Sequence, residues 1–253
     1  MKLYKILALL FALILISCED VISVDLDTAP PRLVIDASID WVKGTPGNEQ
    51  KILLSTTTGY YSAEFPTVSG AEITVTNTAG TVFAFTEMGI AGQYVCTNFE
   101  PVIGETYQLT VRLNGQTYTA SETLTATPDI METIEQDNEG GMGGNEIEIT
   151  FYYQDDPVAT NYYLFGIKSP PSVFPELSIE NDEISQGNIT PEYFSHEDLK
   201  KGDLVNIRLY GISEQYYEYM NKLIIASGAD DGPWPKTPSA VRGNIVNQTE
   251  FKN

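Results

Sequence analysis

Histidine, cysteine and positive charge are scarce in this chain of 253 residues, which holds one His, two Cys, and 14 Lys plus Arg against 35 Asp plus Glu. Histidine is the usual general base near neutral pH, and only His196, in Phe194-Ser195-His196-Glu197-Asp198, is present to fill that role. No Gly-x-Ser-x-Gly elbow accompanies it, so the segment reads as an exposed loop and no catalytic residue is assigned. One His with so few Cys cannot complete the usual zinc ligand sets. The formal net charge of −21 repels phosphate backbones and argues against a nucleic-acid partner. No glycine-rich phosphate-binding motif occurs either.

Long apolar runs are confined to Ile6 through Ile16, which is too short to span a bilayer. Preceded by Lys2 and Lys5, it has the form of a secretory signal over residues 1–17. The run ends in Leu15-Ile16-Ser17-Cys18, which resembles the lipobox of bacterial lipoproteins. That resemblance implies lipidation at Cys18 and attachment to a membrane, where each buried CH₂ contributes roughly 0.8 kcal/mol. Glu19 and Asp20 resemble the export signal that sends such proteins to the outer membrane. Without Lys2 and Lys5 the count of Lys plus Arg falls from 14 to 12 against 35 acidic residues, a net charge of −23. With Cys18 lipidated, only Cys96 remains and no intramolecular disulfide can form. Cys96 lies in the alternating stretch Gln93-Tyr94-Val95-Cys96-Thr97, where a small buried hydrophobe is expected.

Residues 18–31 contain Asp25, Asp27 and Pro30-Pro31 without apolar period, and read as an extended tether. Strict alternation begins at Leu33, with Leu33, Ile35, Ala37 and Ile39 on one face. Further strands are expected at 52–57, 73–76, 82–85 and 94–97. Asn114-Gly115, between Tyr107–Leu113 and Gln116–Leu124, supplies the positive φ angles of a type I′ hairpin. Short, regularly spaced strands point to an immunoglobulin-like β-sandwich over residues 32–127. In it Tyr107 is either the tyrosine of a corner motif or an ordinary strand residue. Residues 128–145, with Gly140-Gly141 and Gly143-Gly144, read as a Gly-rich linker or loop. Residues 146–253 read as a second β-rich domain with strands at 147–151, 162–167 and 204–210. A long insertion over 168–203 would carry at most a short helix at 192–199. Ser213 is placed to cap one short α-helix containing Tyr217, Met220 and Ile224, and a last strand is expected at 241–246. The fold class is thus mainly β.

Asp155-Asp156 before Pro157 and Asp230-Asp231 before Gly232-Pro233 read as turns. Glu135, Asp137, Glu139, Gly140, Met142 and Glu146 fall at positions 1, 3, 5, 6, 8 and 12 of an EF-hand calcium loop. Glu135, Asp137, Glu139 and Glu146 are the calcium candidates, although Glu replaces the usual Asp or Asn at the first and fifth positions and a strand pattern follows. Tyr152, Tyr153, Tyr162, Tyr163, Tyr210, Tyr216, Tyr217 and Tyr219 crowd the second half. Alternation requires many of them to pack inward. Trp234, between Pro233 and Pro235, and Trp41 are the candidate contacts for a ligand or partner.

Several segments together resemble one family. They are the Cys-acidic start, Leu33-Val34-Ile35-Asp36-Ala37, Pro66-Thr67-Val68-Ser69-Gly70-Ala71, Gly104-Glu105-Thr106-Tyr107-Gln108-Leu109, Ala120-Ser121-Glu122-Thr123-Leu124 and Val241-Arg242-Gly243-Asn244-Ile245. The chain is similar in these to the Bacteroidota lipoproteins grouped as domain-of-unknown-function family 4249. The resemblance implies an outer-membrane lipoprotein encoded near a TonB-dependent receptor, an accessory in nutrient capture, and supplies no catalytic residues. Its usual Gly-rich aromatic end is absent after Ile245, where this chain reads Val246-Asn247-Gln248-Thr249-Glu250. The expectation is a non-enzymatic binding lipoprotein with no resident cofactor beyond the lipid. The alternative expectation is a surface adhesin or structural envelope protein.

Overall fold

The computed structural model describes residues 30–59, 62, 64–170, 172–227 and 240–249. The first unit contains β1 (Leu33–Ala37), β2 (Gln50–Thr56), β3 (Glu72–Asn77), β4 (Val82–Glu87), β5 (Gln93–Cys96), β6 (Thr106–Leu113) and β7 (Gln116–Thr123). They form one antiparallel sheet, closed at its end by β14 (Val246–Asn247), in the order β1-β2-β5-β4-β3-β6-β7-β14. Residues 82–85 of β4 pair with β3, whereas Thr86 and Glu87 pair with β5. The single sheet therefore curls back on itself as a sandwich. Its alternate residues meet in one core of Ile52, Leu54, Ile73, Val75, Phe83, Phe85, Tyr94, Cys96, Phe99, Tyr107, Leu109 and Val111.

One local expectation from sequence holds in detail, and one open alternative is decided. Asn114 and Gly115 adopt φ of 50° and 76° in the β6–β7 turn, as a type I′ hairpin requires. The hydroxyl of Tyr107 accepts the Val102 N–H at 2.8 Å and donates to the Glu100 carbonyl at 3.1 Å, so this residue forms a tyrosine corner.

The second unit consists of two three-stranded antiparallel sheets. One has the order β12-β9-β8, from β8 (Ile130–Gly140), β9 (Glu146–Gln154) and β12 (Ile189–Ser195). The other has the order β11-β10-β13, from β10 (Tyr162–Lys168), β11 (Glu176–Asn181) and β13 (Asn206–Ile212). Phe151, Tyr153 and Phe194 of the first sheet pack on Tyr163, Phe165 and Ile167 of the second. Helix α1 (Glu214–Ser227) follows β13 and lies against β10 and β11. The Ser213 hydroxyl accepts the Tyr216 N–H at 3.1 Å as its N-cap, and Met220 is its buried residue. Among the described residues the fold is mainly β and sandwich-like, with one short helix.

Three expectations are corrected. Most of the segment read as a linker or loop over 128–145 is strand β8, and only residues 141–145 turn back into β9. Nearly all of β8 is exposed and its register shifts twice, so pairing with β9 holds it without any apolar alternation. The insertion expected over 168–203 contains both β11 and β12, and the first half of the short helix expected at 192–199 is the end of strand β12 instead, with no helix over the rest. β12 is an edge strand, where Pro191 is tolerated. The final strand, expected over 241–246, is reduced to two residues paired with Tyr118 and Thr119.

Candidate functional site

A cavity of about 680 Å³ lies between the two units, within the ~300–1,000 Å³ range of small-ligand sites. One wall is the open edge of the first sandwich, where Ile39, Ile52, Phe85, Leu109 and Leu124 reach the cavity. The facing wall is the outer surface of the β11-β10-β13 sheet, with Leu164, Gly166, Leu177, Arg208, Tyr210 and Ile212. This explains the nearly continuous apolar run of β10. Tyr163, Phe165 and Ile167 fill the second core, while Leu164 and Gly166 turn toward the cavity. Ile245, in the C-terminal return, also lines the space and packs on the first core.

Charged groups stand at defined places in this apolar setting. Glu122 lies opposite Tyr107 on the inner face of β7, and its carboxylate accepts the Thr123 N–H at 3.0 Å. Asp36 and Asp40 border the cavity beside β1. Asp40 is positioned by buried Gln50, which accepts the Asp40 N–H at 3.0 Å and donates to the carbonyls of Asp40 and Gly47 at 3.0 and 2.8 Å. The Arg208 pKa lies above its ordinary value, first through its hydrogen bond to the Tyr210 hydroxyl and also through attraction to Asp40. Lys168, nearby on β10, donates to the Ser172 carbonyl. Burial raises the pKa of the Tyr216 hydroxyl, and the neighbouring Tyr219, Asp36, Asp40 and Tyr210 add to the effect. Tyr216 therefore remains a neutral hydrogen-bond donor at the rim.

A second group of polar side chains lies at the margin of the second sandwich, with Glu180 exposed, Glu192 half-buried and Asp155 buried. Glu180 on β11 pairs with Tyr163, and Glu192 on β12 pairs with Phe151, so both carboxyls project to the inward side of their strands. Burial, reinforced by the adjacent Glu180 charge, pushes the Glu192 carboxyl up to about 7. Asp155 is buried at the end of β9, where it accepts from the Tyr163 hydroxyl and from the Gly187 N–H at 2.8 Å. It stands in the β9–β10 connection, as the turn reading expects, and these contacts add a buried anchoring role.

Of the residues singled out from sequence, Trp41 is 37% exposed. Its indole N–H donates to the Thr45 carbonyl at 2.8 Å and its ring covers Gly47, so it ties down the β1–β2 loop and does not border the cavity. Glu135, Asp137 and Glu139 sit on β8, and Glu146 opens β9. Among the described residues no group of three or more His, Cys, Asp or Glu converges to hold a metal ion. Cys96 is a buried thiol whose sulfur contacts Asn98 Oδ1 at 3.3 Å. His196 occupies the β12–β13 connection and accepts the Asp198 N–H at 3.1 Å. Cys18, Trp234 and Asp230-Asp231 lie outside the described residues. Sequence reasoning missed Glu122, Glu192 and Arg208. Inward carboxylates in alternating strands were the available signal for the first two.

The fold and cavity define a class: a mainly β protein in which two sandwich-like units enclose a largely apolar space with charged groups in its walls. The chain belongs to the family described as Domain of unknown function (DUF4249), whose model matches residues 19–252. Neither the curated proteins nor the solved structures yield a match. No helix among the described residues is long and apolar enough to cross a membrane.

Proposed function

We propose that this chain is a lipid-anchored binding protein of the bacterial outer membrane, an accessory to a TonB-dependent transporter, and not an enzyme. The observation that carries the reading is the cavity of about 680 Å³ between the units. Its apolar floor provides area for binding, and its few charged side chains provide orientation, which is the composition of a small-ligand site. The anchor is the lipidated Cys18 expected from the leader, and the acidic balance of the chain suits an ectodomain repelled by anionic membrane surfaces. In this arrangement the protein captures a nutrient at the membrane and presents it to a β-barrel.

The test is affinity isolation of the tagged, lipidated protein from native membranes. Recovery of a TonB-dependent receptor, lost when Cys18→Ser releases the chain from the membrane, is the expected result. Repeated isolation without any such receptor counts decisively against the partnership.

A further inference from the structure

We infer that the cavity takes a short peptide with free termini, its ammonium end at Glu122 and its carboxylate end at Arg208. The inference rests on the cavity being the binding site and names the chemistry that the site would recognise.

Three features of the walls carry it. First, the charges are divided by wall. Glu122 belongs to β7 of the first sandwich, whereas Arg208 belongs to β13 of the second unit, with apolar side chains such as Leu109 and Leu164 also lining the space. A ligand that satisfies both walls carries opposite charges at the ends of an apolar body. Second, Arg208 offers planar paired donors suited to a carboxylate, and Tyr210, two residues further along β13, lines the cavity with it. Third, β1 borders the cavity at the end of its sheet, paired only with β2 among the described strands. An edge strand presents backbone N–H and C=O groups at alternate residues, and an extended peptide can pair with them as an added strand. A fatty chain has no groups to use there.

The experiment is calorimetric titration of the full mature chain with tetrapeptides of leucine, phenylalanine and alanine, each with free, N-acetylated or C-amidated termini. Dodecanoate serves as a purely acyl probe. Acetylation is expected to weaken binding at least about tenfold in the unaltered protein and hardly at all in Glu122→Gln. Amidation should do the same in the unaltered protein and lose its effect in Arg208→Gln. Matching thermal unfolding of both variants establishes that they are folded. If free and blocked peptides bind alike, or if the variants leave the ratios unchanged, the inference is overturned. Binding of dodecanoate with none of the peptides overturns it too, while leaving the cavity as a binding site. If neither class of probe binds, the binding-site reading fails with it.

Discussion

The carbonyl oxygen of Ala126 lies 1.9 Å from the point where a Cβ on Gly211 would stand. At the same place the Gly211 N–H donates to the Thr127 hydroxyl at 2.7 Å. The segment leaving the first sandwich thus crosses β13 in direct backbone contact, and Gly211 is required for the approach and not for any unusual φ. This contact sets the two walls of the cavity relative to one another.

Gly211→Ala should therefore cost at least about 1–3 kcal/mol, the usual range for overpacking a closed contact. Urea unfolding followed by tyrosine fluorescence measures it. An unchanged midpoint would show that the crossing is loose. As a control, a Cβ at Gly166 meets only Leu177 and Tyr210 carbons at 3.6 and 3.7 Å, so Gly166→Ala should be tolerated.

Glu192 makes stability depend on pH. Its carboxyl is raised from the ordinary 4.5 to about 7 by burial first and by Glu180 second, and burial also raises Glu180. The folded state therefore keeps a proton that the unfolded chain releases between pH 4.5 and 7. The contribution of Glu192 favours the fold at low pH, declines across that interval, and reaches its full penalty above it. The penalty is on the order of 1–3 kcal/mol after allowance for solvent access. Glu192→Gln should stabilise the protein at pH 8 and flatten the slope of unfolding free energy between pH 5 and 7, a comparison made by denaturant titration at each pH. A slope identical to that of the unaltered chain would refute the assignment.

Removing one oxygen from the tyrosine corner isolates its contribution. Tyr107→Phe leaves the Val102 N–H without its acceptor and should lower stability by about 1–3 kcal/mol. Calorimetric unfolding reads the change directly. Equal melting temperatures would mean that water replaces the hydroxyl.

Asp155 joins β9 to the turn that leads from β11 into β12. Its carboxylate holds the Gly187 N–H, and its own N–H donates to the Asn188 carbonyl at 3.1 Å. Asp155→Ala should speed hydrogen exchange at Gly187 at least about tenfold and destabilise the protein by about 1–3 kcal/mol. Exchange confined to its original rate would place the restraint elsewhere, with the packed Pro157 ring beside Gly187 as the next element to alter.

Much of the first unit was legible because its strands have one buried and one exposed face. β2 alternates buried and exposed residues from Gln50 to Leu54, and β6 does so through Tyr107, Leu109 and Val111. The Asn114-Gly115 turn and the Ser213 cap are equally local, since their chemistry lies within a few residues. β8 and β11 were hidden for the opposite reason: they are largely exposed, and hydrogen bonding to a neighbouring strand, not burial, makes them strands. β12 was hidden because its inward side carries Thr190 and Glu192 beside a single aromatic, Phe194. The calcium pattern failed to mark a loop for a related reason, because spacing alone does not distinguish an EF-hand from acidic residues along a paired strand.

The sequence by itself determined the mainly β class, the type I′ hairpin, the tyrosine corner as one of two readings, and the capped helix. Each depends on composition, on a period of two, or on contacts within a turn. Only the tertiary structure decided that Glu122 and Arg208 share a cavity, that Asp155 is buried, and that Trp41 fastens a loop. Those outcomes depend on strands far apart in the chain, and no local preference records which faces will meet.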